Sequence, residues 1–435
     1  MIKNSFIFII FGFILTSIIA NAQDSLYFRQ TIAKLSSAEF CGRGYAYKGD
    51  SIAAAFIADE FKNLGLHKWT PDYYQSFTIN MNVFEGDALV YFGEKYSKVQ
   101  LFENTQIMAY SCPMHGSFTV KEVKAKDIFN NKVNLSDNKN KGFILIDISR
   151  LNTKDSISKQ IYNKVLETVT KNPLHAKGYI LVSEKLLGWP VAYGRIKAEH
   201  VTVNVTKEYL KKKPKQIFLN LHSRHIENYQ TQNVCGYIKG TEYPDSFFVF
   251  IAHYDHLGQF GKDYIFYGAN DNASGTAFIM DLARHFSKAE NQPKYSIAFL
   301  AVSCEEIGLE GSKYYVSNSL FPLSQIKTAI NFDMVGTGEN GITVVCGQVF
   351  PDEYNKLKSL NDEHHFLKEV KDRECSNNSD HYPFYSKGVQ AFFIYGMGKS
   401  GRYHHKSDTL ENMSLGGYTG LFQLITNYIN LYNAK

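Results

Sequence analysis

Four runs in the second half of the chain are apolar almost without a break: FFVFIA (247–252), SIAFLAV (296–302), TAINF (328–332) and VQAFFIY (389–395). A strand with one wet face alternates apolar and polar residues, so an unbroken run is a strand covered on both faces. Between and around these runs lie helical patterns at 274–287, 311–319 and 352–361, and the amphipathic stretch GGYTGLFQLITNYINLYN follows the last of them. Covered strands alternating with helices define an α/β fold, with a mixed, mostly parallel central sheet and helices on both faces.

The rest of the chain has other textures. Ile52, Ala55, Phe56, Ala58, Phe61 and Leu64 recur at helical spacing before Gly65, which predicts a helix from Asp50 to Leu64. From 86 to 223 short β-type runs follow one another (ALVYFG, SFTVKEV, GFILIDI, GYILVS, HVTVNVT, QIFLNL), interrupted by one helical pattern, SISKQIYNKVLETVTKN. The expected organisation is a secretory signal at 1–22, an N-terminal part of the main domain at 23–85, an inserted mainly β subdomain at 86–223, and the main domain at 224–435. The signal is read from a lysine near the start, an apolar run from Ile7 to Ala20, and the small-residue site Ala20-Asn21-Ala22. It implies export to a periplasmic or extracellular space, with no stable membrane insertion after cleavage.

Composition excludes little else. The formal charge is +5, and KKKPK (211–215) is the one tight basic run, which argues against a nucleic-acid partner. No C-x-x-C pair is present among the six cysteines, so a thiolate metal site is not expected. Cys304 and Cys346, in or beside apolar runs, are expected to be buried free thiols. Oligomeric state is not legible.

In open α/β sheets ligands bind beyond the carboxyl ends of the strands. His253 and Asp255 follow the first run, Glu305 and Glu306 the second, and Asp333 the third. The fourth leads through GMGKSGR to Tyr403, His404 and His405, while YGANDNASG sets Asp271 at the entrance to a helix. Singly, a histidine at a strand end is more often structural, and Asp271 could simply cap its helix. Together they put imidazoles and carboxylates on one edge of the sheet, a donor set that suits zinc, with manganese and cobalt as alternatives. A catalytic zinc needs about three protein ligands and a water, so two histidines and three carboxylates suggest two ions. With Asp271 shared, His253, Asp271 and Asp333 would hold one, and Asp271, Glu306 and His404 the other. The adjacent acids then divide the work: Glu306 on a metal, Glu305 as the general base toward water. Asp255 would orient His253 by accepting its second N–H, unless it is only an exposed turn residue. Tyr403 would donate to an oxyanion, or merely pack.

The motifs AHYDH, GANDNASG, EEIGLEGS, NFDMVG and YHHKSDT, in this order, resemble those of the co-catalytic zinc aminopeptidases, metallopeptidase family twenty-eight. SDHYPFYSKGVQAFF and CGRGYAYKGD resemble the approach to the last strand and the beginning of that family. The 86–223 subdomain resembles, more weakly, the protease-associated domain. The resemblance implies a phosphorylase/hydrolase-like fold, two zinc ions and peptide substrates shortened from one terminus. YHHKSDT departs from the commoner His-Thr-Pro pattern and places His405 beside His404; the motif spacing favours His404 as the ligand. Carboxypeptidases and glutaminyl-peptide cyclases share the fold and are the alternatives. Arg373 and Arg402 are the candidates for a clamp on a substrate carboxylate.

Overall fold

A computed structural model describes residues 25–93, 97–99, 101–133, 142–399, 402–433. The expected signal segment lies outside them. The chain divides into two compact units: one contains the described residues up to Phe77, Gln230–Gly258 and everything from Ile265 onward, the other Thr78–Tyr229 and Gln259–Tyr264.

An eight-stranded mixed sheet, all of it except residues 78–83 and 224–229 within the first unit, underlies that unit. Its spatial order is Tyr74–Val83, Arg224–Ile238, Tyr295–Val302, Tyr243–His253, Ile326–Phe332, Ala391–Gly396, Ile342–Val345, Val370–Arg373. The four central strands run parallel to one another, while Arg224–Ile238 and Ile342–Val345 pair antiparallel to their central neighbours. The apolar runs are fully used. Phe248, Phe250 and Ala252 enter one core with Ile57, Phe61, Phe278, Leu282, Leu421 and Ile425. Phe247, Val249 and Ile251, alternate residues of the same strand, enter a second core with Tyr315, Val316 and Phe384. Side chains alternate along a strand, so these are the two faces of one sheet. Helices Gly49–Asn63, Ser274–Phe286 and Tyr418–Asn433 supply the first core, and Glu310–Ser317 and His381–Ser386 the second.

The expected helices at 50–64, 274–287, 311–319 and 352–361 appear as Gly49–Asn63, Ser274–Phe286, Glu310–Ser317 and Pro351–His364. The two outer strands Tyr74–Val83 and Arg224–Ile238 have no counterpart in the sequence reading. The second opens on charged and polar residues, RHIENYQTQN, with no apolar run to mark it, and its pairing with Tyr295–Val302 begins only at Val234.

Cysteine usage requires a correction. Cys304 is a buried free thiol, but Cys346 is joined to Cys375 across a sequence separation of 29 residues. The parallel pairing of Val345 with Arg373 brings the ends of two strands side by side, with the cysteine Cα atoms 4.2 Å apart. Val370–Arg373 is a short, charged edge strand, and without it the sequence offers no neighbour for Cys346.

The second unit holds another eight-stranded sheet, in the order Ser97–Lys98, Ala88–Phe92, Gln216–Leu221, Met114–Glu122, Gly142–Asp147, Gly178–Ser183, Val201–Thr206, Thr105–Ile107. Ile144, Ile146, Tyr179 and Leu181 pack against Ile161, Val165 and Val169 of helix Ser156–Lys171 and Ile128 of helix Ala125–Phe129. Asp155 caps the longer helix by accepting the Ser158 N–H at 2.8 Å.

Candidate metal centre

Strand register delivers the first cluster. Ile251 lies opposite Asn331 in the parallel pair; two residues further on each strand, His253 and Asp333 stand level. The His253 Nε2 is 3.4 Å from Asp333 Oδ1 and 3.6 Å from Asp271 Oδ1. All three are buried, and their ligand atoms converge.

Asp271 reaches this place on a loop whose flanking amides are both committed. Asn270 Oδ1 accepts the Gly336 N–H, and Asn272 donates to the Phe332 carbonyl at 2.9 Å while its Oδ1 accepts from Gly275 at 2.8 Å and Met334 at 3.2 Å. The cap on the following helix therefore belongs to Asn272, which leaves the Asp271 carboxylate free to face the histidines. A cis peptide joins Asp271 to Asn272. Gly275 has to be glycine, because a Cβ there would sit 2.1 Å from the Phe332 carbonyl oxygen. Asp408 closes the loop from the other side: its two carboxylate oxygens accept the N–H groups of Asn270 and Asp271, each at 3.0 Å.

The second cluster surrounds Glu306. The His404 Nε2 lies 3.0 Å from Glu306 Oε2 and 3.3 Å from Asp271 Oδ2, and on the other side the His256 Nδ1 lies 2.7 Å from Glu306 Oε1. Burial disfavours ionising Glu306, yet His404 and His256 hold its carboxyl well below the ordinary range. The neighbouring Glu305 goes the opposite way. Burial, reinforced by Glu306, Asp380 and Asp333, pushes it well above the ordinary carboxyl range despite the opposing pull of His253. Two adjacent acids thus have opposite proton affinities, the pattern that separates a ligand from a general base.

Non-glycine residues adopt φ near +60° at or beside these groups: Cys304 before Glu305, Met334 after Asp333, and His404 itself. Each such conformation costs about 1–3 kcal/mol and is held by its surroundings.

Asp255 is fully buried, which removes the reading of it as an exposed turn residue. Its carboxylate accepts the main-chain N–H of Glu305 at 3.1 Å and of Glu306 at 3.4 Å, and the Tyr45 hydroxyl at 3.2 Å. The atom within hydrogen-bond distance of His253 Nδ1 is the Asp255 main-chain oxygen at 3.2 Å, not the carboxylate, which stands 3.8 Å away. Burial raises the Asp255 carboxyl to about 7. Tyr403 is exposed and stacks on His404, with ring centres 3.7 Å apart. His405 turns to Ser407, so the two adjacent histidines part company: His404 faces the carboxylates and His405 the loop. Arg373 and Arg402 are exposed, with long bonds of 3.5 Å to Ser376 Oγ and to the Ser407 carbonyl respectively.

Sequence reasoning passed over His256, although AHYDH carries it three residues beyond His253. A signal existed in that spacing, but it becomes legible only when the chain past the strand end is known to turn back toward Glu306. Asp408, Ser379 and Asp380 also have work the sequence did not reveal. Ser379 accepts from Asn331 and donates to Asp333 Oδ2 at 2.7 Å, and Asp380 accepts from Ser312 Oγ.

The approaches of Asp271 Oδ2, Asp333 Oδ1 and His404 Nε2 to their neighbours make no well-directed hydrogen bond, and His256 Nε2 has none either. Buried polar atoms are rarely left so, and such a cluster of carboxylate oxygens and imidazole nitrogens fits a divalent cation of the zinc type.

Residues 233–429 match the family model described as Peptidase family M28. The chain is 29% identical over 228 residues to Aminopeptidase YwaD of Bacillus subtilis, which covers 49% of this chain and 47% of that one. It is 34% identical over 128 residues to Leupeptin-inactivating enzyme 1 of Streptomyces exfoliatus, 28% of this chain and 27% of the other. The chain thus spans about half or less of the curated relatives it matches. The crystal structure of BSAP, a zinc aminopeptidase from Bacillus subtilis, superposes with a TM-score of 0.67 over 94% of each chain at 20% identity, a likeness of fold.

Proposed function

We propose, on the premise that the chain belongs to peptidase family M28 through residues 233–429, that it is an exported zinc exopeptidase releasing single N-terminal residues from peptides. One observation carries the reading: two imidazole–carboxylate clusters, His253/Asp333 and His256/Glu306/His404, meet at the single carboxylate Asp271. His253, Asp271 and Asp333 would hold one zinc, and Asp271, Glu306 and His404 a second, with His256 bonded to Glu306. When bound, such ions polarise a carbonyl and lower the pKa of water.

The chain's own residues do the rest. Glu305, whose proton affinity is raised, takes a proton from the attacking water and returns it to the departing amine. Asp255 holds the main-chain N–H groups of Glu305 and Glu306 and so fixes where both carboxyls start. The Tyr403 ring, exposed and stacked on His404, leaves its phenol able to donate to a developing oxyanion. The aminopeptidase direction is supported by the relative named for that activity. Export is supported by the signal-like start and by the Cys346–Cys375 disulfide, a bond typical of oxidising compartments.

The test is mass-spectrometric digestion of short peptides with free or blocked termini, with and without a zinc chelator. Chelator-sensitive loss of single N-terminal residues supports the proposal. Loss from the C-terminus assigns the carboxypeptidase alternative, and cyclisation of N-terminal glutamine without cleavage assigns the cyclase.

A further inference from the structure

CGRGYAYKGD (41–50), at the opposite end of the sequence from most of the candidate ligands, is not explained by the proposed chemistry. Arg43 within it is wholly buried, with φ +52°. Its guanidinium is saturated by main-chain carbonyls alone. Nε donates to Tyr254 at 2.8 Å, Nη1 to Leu35 at 2.9 Å and Tyr267 at 2.7 Å, and Nη2 to Gly268 at 2.7 Å and Asp271 at 3.2 Å. The main chain beside it grips the same region, since the His256 N–H donates to the Arg43 carbonyl at 3.3 Å and the Gly258 N–H to the Gly42 carbonyl at 3.1 Å. Two residues on, Tyr45 donates to Asp255. The approach leaves no slack: a Cβ on Gly268 would lie 2.6 Å from Arg43 Nη2 and 2.2 Å from the Asp271 carbonyl oxygen.

Apart from the bond to Leu35, these contacts fall on two segments. One, 253–258, carries His253, Asp255 and His256; the other, 267–271, ends at the shared carboxylate Asp271. Only a planar fork with five N–H groups can serve so many carbonyls at once; an ammonium has three donors and no fixed plane. Burial lowers the Arg43 pKa to about 10, so the group is a cation at neutral pH. It therefore also offsets the acidic groups gathered around it.

We infer that Arg43 is a positioning residue for the metal centre, tying the 253–258 and 267–271 loops together through their carbonyls so that Asp271 is in place before any ion arrives. The inference rests on the metal-centre reading of the proposed function. Arg43 touches neither ion nor substrate; it acts through the backbone of the residues that do.

The first experiment compares wild type with Arg43→Lys in a zinc competition titration against a chromophoric chelator, together with melting of the metal-free and zinc-loaded forms. The expected result is zinc affinity weakened about 10–100-fold, the usual effect of losing a group that orients a ligand, and a smaller rise in Tm on adding zinc. Equal destabilisation of both forms with zinc affinity unchanged would make Arg43 a scaffold residue only and overturn the inference. Should Arg43→Lys fail to fold, hydrogen exchange on the wild type decides. The N–H groups of His256 and Gly258, which donate to the Arg43 and Gly42 carbonyls, are expected to be protected already in the metal-free protein; protection that appears only with zinc refutes pre-positioning. Failure of the wild type to bind zinc would instead strike the metal-centre reading, and is seen before any variant is made.

Discussion

Replacing Asp408 by Asn tests how the shared carboxylate is held. Asp408 is 5% exposed and receives two main-chain N–H bonds at 3.0 Å, one from Asn270 and one from Asp271 itself. An asparagine keeps one acceptor oxygen and turns an NH2 group toward the other N–H. One bond to a charged acceptor disappears, worth about 1.5–3 kcal/mol, and a buried donor is left facing a donor, at about 1–3 kcal/mol more. Against this, burial raises the Asp408 carboxyl, so the neutral side chain recovers part of the desolvation cost. The net expectation is destabilisation of about 2–4 kcal/mol, felt in the loop that bears Asp271. Differential scanning fluorimetry of the metal-free protein reads the stability, and chelator competition reads the zinc affinity, which should fall with it. Asp408→Ala, which leaves both N–H groups without a protein partner, should be worse on both measures. A D408N protein that melts with wild type and binds zinc equally would refute the claim that these two bonds fix Asp271.

Glu305→Gln is expected to keep zinc stoichiometry by elemental analysis while kcat falls at least about 10²–10⁴-fold, the usual worth of a general base; a normal kcat would remove Glu305 from the reaction. Asp271→Ala, by deleting the carboxylate common to both clusters, should lower the zinc content of the purified protein, and two tightly held ions per chain would rule out its shared role. The metal-free protein should also respond to pH in a definite direction. Burial opposes protonation of His404, but Glu306 and Asp271 raise its pKa to about 10; the unfolded value is about 6.5. The stability this confers is complete below about 6.5 and is lost as pH rises through about 10. Melting of the metal-free wild type should therefore fall between pH 7 and 10, and His404→Gln should flatten that slope; equal slopes would deny the pairing.

The fold class was legible because its signal is local and redundant. FFVFIA or SIAFLAV cannot be satisfied with one face in water, and such runs alternating with helical patterns admit few architectures other than a covered sheet. The strand ends were legible for the same reason, and with them His253, Glu305, Glu306 and Asp333 as ligand-type residues on one edge; Asp271, at the entrance to a helix, and His404, in the loop past the fourth run, stood out through the motifs around them. What the sequence by itself determined, then, was which residues stand where buried strands end. Tertiary structure decided what each one touches. Register put His253 level with Asp333, a turn after the first strand brought His256 back onto Glu306, and the Asp255 carboxylate went to two main-chain N–H groups rather than to the imidazole. Arg43 and Asp408, the residues that grip the Asp271 loop, lie 228 and 137 positions from Asp271, and Cys346 met its partner through a short edge strand of charged residues. Contacts of that kind depend on loop paths and strand order, which are set by the packing of the whole core and leave no periodic trace in the residues that make them.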